Sequence, residues 1–212
     1  IIGKPGVGGD PGPWAGQGVF HAIEAALEHI YGDSSIKDRT FAIKGIGKVG
    51  STLCALLHER GGKVFVADTN SAAIEKIREA FPSIEVVSPS QIQSMSVDVY
   101  APCALGGEFD KETVDNLACR VVCGGANNQL THPDVDQCFL ERGILYIPDY
   151  VANAGGLLNV AAELDPEGYR EERVAEQVRR IKDTVRHIID VSVKSQKTTQ
   201  QVASELAESV FL

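Results

Sequence analysis

Short apolar runs alternate with helix-spaced segments from about residue 36 to residue 150, and a glycine-spaced turn joins the first run to the helix that follows it. The clearest runs, Phe41-Ala42-Ile43 and Val64-Phe65-Val66-Ala67, are continuously apolar. Strands of that kind are buried on both faces, and with helical crossovers between them they form a parallel sheet covered on either side. The sequence therefore predicts an α/β fold, a Rossmann-type doubly wound parallel sheet with helices on both faces and a long C-terminal helix.

The first dozen residues are Gly/Pro-rich and carry no initiator methionine. They read as a linker running into a helix, in a piece of a longer polypeptide. From Trp14 to Tyr31, Val19, Ile23, Ala26, Leu27 and Ile30 fall at helical spacing, and Gly32-Asp33-Ser34-Ser35 closes the segment. Strands are expected near 40–45, 63–67, 84–87, 97–101, 120–123 and 144–147, in the order 3-2-1-4-5-6. Helices are expected near 48–60, 70–80, 89–94, 111–117 and 132–142. From Tyr169 a long amphipathic helix follows, with Val174, Val178, Ile181, Val185 and Ile188 on one face. Lys194–Thr199 is a polar break, and Val202, Leu206 and Val210 mark a final helix whose apolar stripe needs a surface. The chain reads as one domain: a linker and leading helix over 1–35, the core over about 36–150, and C-terminal helices over 151–212.

The turn is Gly45-Ile46-Gly47-Lys48-Val49-Gly50. Gly45 permits the tight exit from the strand, Gly47 lets a pyrophosphate approach the backbone, and Gly50 lets the helix pack close to the strand. Unpaired N–H groups and the partial positive charge at the helix start favour an anion there. Asp68, with Thr69 beside it, ends the second apolar run 23 residues after Gly45. A carboxylate at that tip accepts the ribose hydroxyls of NAD and repels the 2′-phosphate of NADP, so NAD is the expected cofactor.

A chain of 212 residues, 43% hydrophobic, can bury one good core. The net charge of −9 is spread along it with no basic run, which argues against nucleic acid and anionic membrane as partners. No apolar stretch has the length of a membrane span, and the start lacks the architecture of a signal peptide. Five cysteines (Cys54, Cys103, Cys119, Cys123 and Cys138) form an odd set without a C-x-x-C pair or a histidine cluster at ligand spacing. Reduced thiols, a cytoplasmic location and no metal site are expected.

Four further segments follow the glycine turn: Ala101-Pro102-Cys103-Ala104-Leu105-Gly106-Gly107, Gly124-Gly125-Ala126-Asn127-Asn128-Gln129-Leu130, Pro148-Asp149-Tyr150-Val151-Ala152-Asn153-Ala154-Gly155-Gly156, and Leu157-Leu158-Asn159-Val160. In this order they resemble the C-terminal, NAD-binding domain of the leucine, phenylalanine and valine dehydrogenases of the glutamate dehydrogenase superfamily, over essentially the whole chain. The first three follow expected strands, and so lie at the carboxyl edge of the sheet where open α/β folds hold ligands.

Small residues Ala101, Pro102, Cys103 and Ala104 would let the nicotinamide ribose lie near backbone; the plain alternative is a strand-to-helix turn. Asn127 and Asn128 are amides that can both donate to and accept from a carboxamide, or simply turn residues. The resemblance favours Asn128 for that contact. It also implies that Asn153 lies between the nicotinamide ring and the amino acid, where the alternative is a helix cap. Leu157 and Val160, three apart, share one helix face; the resemblance implies that they line the pocket for the substrate side chain, where the alternative is core packing. One departure stands out. Ala15 occupies a place where such enzymes usually have a threonine that helps hold the nicotinamide amide, a hydrogen bond worth about 0.5–1.5 kcal/mol.

The resemblance implies oxidative deamination of an apolar L-amino acid such as leucine or valine to the 2-oxo acid, ammonia and NADH. The basic lysine and its aspartate partner belong to an N-terminal domain whose glycine-rich motif is not found here, so no catalytic acid–base residue is expected in this chain. The expected partners are the amino or oxo acid, that missing domain, and further copies of the parent protein. A non-catalytic NAD-sensing module, and a phenylalanine or tryptophan dehydrogenase, remain as alternative readings.

Overall fold

Thr40–Lys44 forms the central strand, β1, of a six-stranded sheet in the computed structural model, which describes residues 8–211. β1 is joined by β2 (Lys63–Ala67), β3 (Glu85–Val86), β4 (Val99–Pro102), β5 (Val121–Val122) and β6 (Leu145–Tyr146). All pairings are parallel, in the order β3-β2-β1-β4-β5-β6. The predicted order is thus the observed one, and the crevice where it reverses opens between β1 and β4. Most of the expected linker, residues 1–7, lies outside the described residues.

The central strand β1 is apolar on both faces because each face meets its own core. Phe41 and Ile43 join one cluster with Val19, Ile23, Leu53 and Leu57, under the helices on that side. Ala42 joins the other, with Tyr100, Phe109, Phe139 and Tyr146. Those four rings run in sequence, centroids 6.2, 5.3 and 4.8 Å apart, at spacings suited to edge-to-face and offset packing.

The leading helix, α1 (Pro11–Tyr31), starts three residues earlier than its apolar spacing suggests. Asp10 caps it by accepting from the Gly12 N–H at 2.9 Å, and Pro11 and Pro13 tolerate a first turn where N–H groups have no intrahelical partner. Gly32, at φ 79°, closes it in the left-handed region. α2 (Lys48–Glu59), α3 (Ser71–Ala80), α4 (Lys111–Asp115) and α5 (Val135–Glu141) follow the expected helices, the last two in shorter form. The segment expected as a helix over 89–94 is a single 3-10 turn, Ile92–Ser94. Pro89 and the surrounding serines restrict it, leaving Ile92 as its buried anchor. β3 likewise contracts to two residues, although the Val87 N–H still donates to Val66 O at 2.9 Å.

Beyond β6, a four-residue helix that the sequence did not reveal, α6 (Asp149–Ala152), precedes α7 (Gly155–Ala162). The long C-terminal segment is helical as α8 (Glu171–Arg179) and α9 (Ile181–Ser195), which meet at Arg180, itself in the right-handed helical region. Its predicted stripe is buried from Val174 to Ile188. α10 (Thr199–Phe211) lays Val202 and Ala203 against Ile188 and leaves Val210 exposed.

Arg142, just past α5, closes the end of α4: its guanidinium donates to Val114 O and Leu117 O at 2.9 Å and also to Asp115 O. Carbonyls at a helix C-terminus have no intrahelical partner, and a cation complements the dipole there. Arg142→Ala is expected to lower stability by about 1–2 kcal/mol, read as a shift in urea midpoint; an unchanged midpoint would remove this cap from the account.

Candidate functional site

The turn after β1 owes its shape to two glycines. Gly45 sits at φ +96°, and a Cβ there would lie 2.7 Å from Ala104 N on the loop after β4. A Cβ at Gly50 would lie 1.9 Å from Gly45 O, so α2 can approach the turn only without one. Gly47 caps α2 without a side chain, and a Cβ built on it meets nothing within 4 Å. The positive end of α2 therefore faces open space with no side chain closing it. Ile46 and Val49 turn their side chains into the core, so only their backbone is available to a ligand. Lys48 is exposed, its ammonium 2.7 Å from Asp10 Oδ2. That hydrogen bond, with one from Gly12, holds the Asp10 carboxyl below its ordinary value.

Asp68 stands at the tip of β2 and fastens it to the turn. Its Oδ2 accepts from the Ile46 N–H at 2.6 Å and its Oδ1 from the Asn70 N–H at 2.8 Å. Each carboxylate oxygen retains a further lone pair. Asp68 and Thr69 line a cleft of about 680 Å³ together with Gly45, Gly47 and the loop after β4. At its edge lies a pair that sequence reasoning missed: Lys44 Nζ is 3.0 Å from Glu108 Oε1. Tyr100 donates its hydroxyl to the same oxygen, and the Glu108 side chain is only 6% exposed. Burial, reinforced by the Glu108 charge, pushes the Tyr100 hydroxyl above its ordinary range, so it stays a donor. No spacing rule links residues 64 apart, so no local signal marked the pair.

Ala101 and Pro102 belong to β4 itself, and the loop begins at Cys103. Ala101 packs in the core rather than along the cleft, whereas Cys103 and Ala104 do line it. Desolvation pushes the Cys103 thiol up to about 12, so it is a protonated wall rather than a nucleophile at neutral pH. The loops after β4 and β5 are tied together: Ala126 N–H donates to Pro102 O at 3.0 Å and Gly107 N–H to Asn128 O at 2.7 Å. A Cβ at Gly124 would lie 2.2 Å from Pro102 O, which explains that glycine by packing alone.

Asn128 is exposed, at φ +53°, a left-handed conformation that asparagine tolerates. Its neighbour Asn127 makes the cross-loop contact, accepting at Oδ1 from Asn153 Nδ2 at 2.7 Å. Asn153 also donates to Gly125 O at 3.3 Å. It follows α6 rather than opening a helix, and its side chain caps none. Beneath these loops Gln129 is buried; its Nε2 donates to Gly124 O and Ala126 O, and its backbone N–H reaches Asp149 Oδ2 at 3.3 Å. Gln129 and Asp149 thus brace the asparagine loop, a role that the sequence left unread.

On α7, Leu157 is 72% exposed, which removes core packing as its explanation, and Val160 is half-buried. The glycines before Leu157 serve α1: a Cβ at Gly155 would lie 2.1 Å from Trp14 O, and one at Gly156 would lie 3.4 Å from Ala15 Cβ. Ala15 is accordingly buried where α1 meets α7. All five cysteines are free. Among the described residues, no group of histidine, cysteine or acidic side chains could hold a metal ion, and no helix is long and apolar enough to cross a membrane.

Known proteins resemble this chain over most of its length. Leucine dehydrogenase of Bacillus cereus is 38% identical over 203 residues, covering 96% of this chain and 55% of that protein. Valine dehydrogenase of Streptomyces albus is 42% identical over 181 residues, covering 84% of this chain and 49% of that protein. The crystal structure of L-tryptophan dehydrogenase from Nostoc punctiforme superposes with a TM-score of 0.90 at 40% identity, covering 95% of this chain and 61% of the other. The chain thus spans about half to three fifths of the length of these relatives. The profile of the Glutamate/Leucine/Phenylalanine/Valine dehydrogenases matches residues 12–78 and 67–209, and with nearly every described element inside that match, the chain belongs to this family.

Proposed function

We propose that this chain is the NAD-binding, C-terminal domain of an L-amino acid dehydrogenase acting on an apolar substrate such as leucine or valine. The observation that carries the reading is the unclosed positive end of α2 beside a carboxylate fixed at the tip of β2. The residues present fit a dinucleotide: the space above Gly47 is empty of protein, and the cleft beside it is bordered by Asp68 and Thr69.

In this reading the amides of Gly47, Lys48, Val49 and Gly50 hold the diphosphate, and Asp68 accepts the adenosine ribose hydroxyls through its spare lone pairs. Cys103 and Ala104 border the nucleotide. Asn128 meets the carboxamide, while Asn153, steadied by Asn127, orients the ring and the amino acid. Leu157 and Val160 present an aliphatic wall to the substrate side chain. The bound nicotinamide supplies the acceptor for the hydride leaving the substrate Cα. The basic lysine and its aspartate partner lie on a separate N-terminal domain of the parent protein, which also carries its assembly into oligomers. The isolated chain therefore binds NAD without deaminating.

Calorimetry of the chain with NADH and NADPH tests the reading: NADH binds and NADPH binds at least about tenfold more weakly. Asp68→Ser is expected to weaken NADH about tenfold and to narrow the gap between the two cofactors. An unchanged ratio would sink the ribose role, and no binding of NADH at all would sink the assignment.

A further inference from the structure

We infer that Glu108 enforces the choice of NAD over NADP by withholding an ammonium from the cofactor cleft, an inference that rests on the cleft being the adenosine subsite. Among the described residues lining that cleft, Lys44 is the single cation, and Asp68 and Glu108 are its two carboxylates. Lys44 pairs in register with Ala67, the residue before Asp68, so its four-carbon stem begins one strand away from the acid expected to meet the ribose. A free ammonium there would offer a charge-assisted bond to a 2′-phosphate and undercut the repulsion that Asp68 supplies.

Glu108 removes that option. Its carboxylate holds Lys44 Nζ at 3.0 Å, while the Tyr100 hydroxyl on the same oxygen anchors Glu108 from the core side. A carboxylate 6% exposed and doubly bonded cannot swing away with the lysine. Lys48, on the glycine turn, is not among the residues lining the cleft, and its ammonium lies 2.7 Å from Asp10. Two devices then act in series: Asp68 repels the phosphate, and Glu108 occupies the group that would otherwise attract it. Removing Asp68 alone leaves the second in place.

The test compares Asp68→Ser with Asp68→Ser/Glu108→Gln by titrating NADH and NADPH into each. Glutamine keeps an acceptor for Tyr100 but surrenders the charge that holds Lys44. The double variant is expected to bind NADPH about tenfold more tightly than Asp68→Ser, with NADH changed less than about twofold. Adding Lys44→Gln should abolish that gain. A gain absent from the double variant, or one that survives Lys44→Gln, overturns the inference. Should the glutamine variant fail to fold, Glu108→Met leaves Lys44 without its partner and carries the same expectation. Failure of the starting chain to bind NADH would instead refute the cofactor assignment itself.

Discussion

Gly50→Ala should cost about 2 kcal/mol or more of stability and weaken NADH binding by more than tenfold. The added methyl would sit 1.9 Å from Gly45 O and 3.3 Å from Cys103 Cβ. Neither neighbour can yield cheaply: the first is backbone in a left-handed turn, and the second lies on the loop after β4. Alanine is favoured over glycine inside a helix by about 1 kcal/mol, so the clash must exceed that gain for the sign to hold. At that separation it does, because α2 has to withdraw from β1 and carry its amides away from the cleft. Gly47→Ala is the matched control, since its Cβ meets nothing within 4 Å. It should change stability by only about 0.5–1 kcal/mol, the preference for glycine over alanine at a helix start. Thermal unfolding of both variants and NADH titration of Gly50→Ala decide the matter; a Gly50→Ala protein with parental melting and affinity would refute the packing argument.

Asp98→Ala is the second large effect expected, a loss of about 2–4 kcal/mol. Asp98 precedes β4 and knots three elements together. Its Oδ2 accepts from the Thr40 N–H and hydroxyl at 2.7 Å, its Oδ1 accepts from the Tyr31 hydroxyl, and its own N–H donates to Thr40 Oγ1 at 2.9 Å. Truncation strands the donors of Thr40 and Tyr31 where α1, β1 and β4 meet. Arg39 lies over the Tyr31 ring at 3.6 Å and closes the cluster from outside.

The same knot makes a pH prediction. Burial pushes the Asp98 carboxyl up, but hydrogen bonds from Tyr31 and Thr40 and the Arg39 charge outweigh it and hold the group below its ordinary value of 3.8. The unfolded chain, with an ordinary carboxyl, then binds more protons than the folded one. The contribution is fully present above about pH 4 and is lost as pH falls through the lowered folded value. Urea midpoints of the parent and of Asp98→Asn should therefore differ by a constant amount from pH 7 to about pH 4.5 and converge below about pH 4. A difference that ignores pH would show that the charged form does not supply the stability.

The elements read most easily from the sequence were those with a local cause. Continuous apolar runs marked β1 and β2, and the spacing from Val174 to Ile188 marked a buried face that survives the junction at Arg180. Three glycines at set intervals announced a turn whose geometry the structure repeats, with Gly45 at positive φ and Gly50 against its carbonyl. The weaker readings fell where local signals conflict. Pro89 beside a short apolar run left a two-residue strand and a single 3-10 turn, and α6 is too short for helical periodicity to register.

By itself, then, the sequence determined the layer architecture, the strand order and the place of the glycine turn, because burial pattern and glycine spacing act over a few residues of contiguous chain. The tertiary structure alone decided which side chains meet. Asn127 rather than Asn128 holds Asn153, Glu108 takes Lys44, and the glycines before Leu157 admit α1. The first two join residues 26 and 64 positions apart. They depend on the direction of each Cβ once the strands are in register, a property of the assembled sheet that no single stretch of chain encodes.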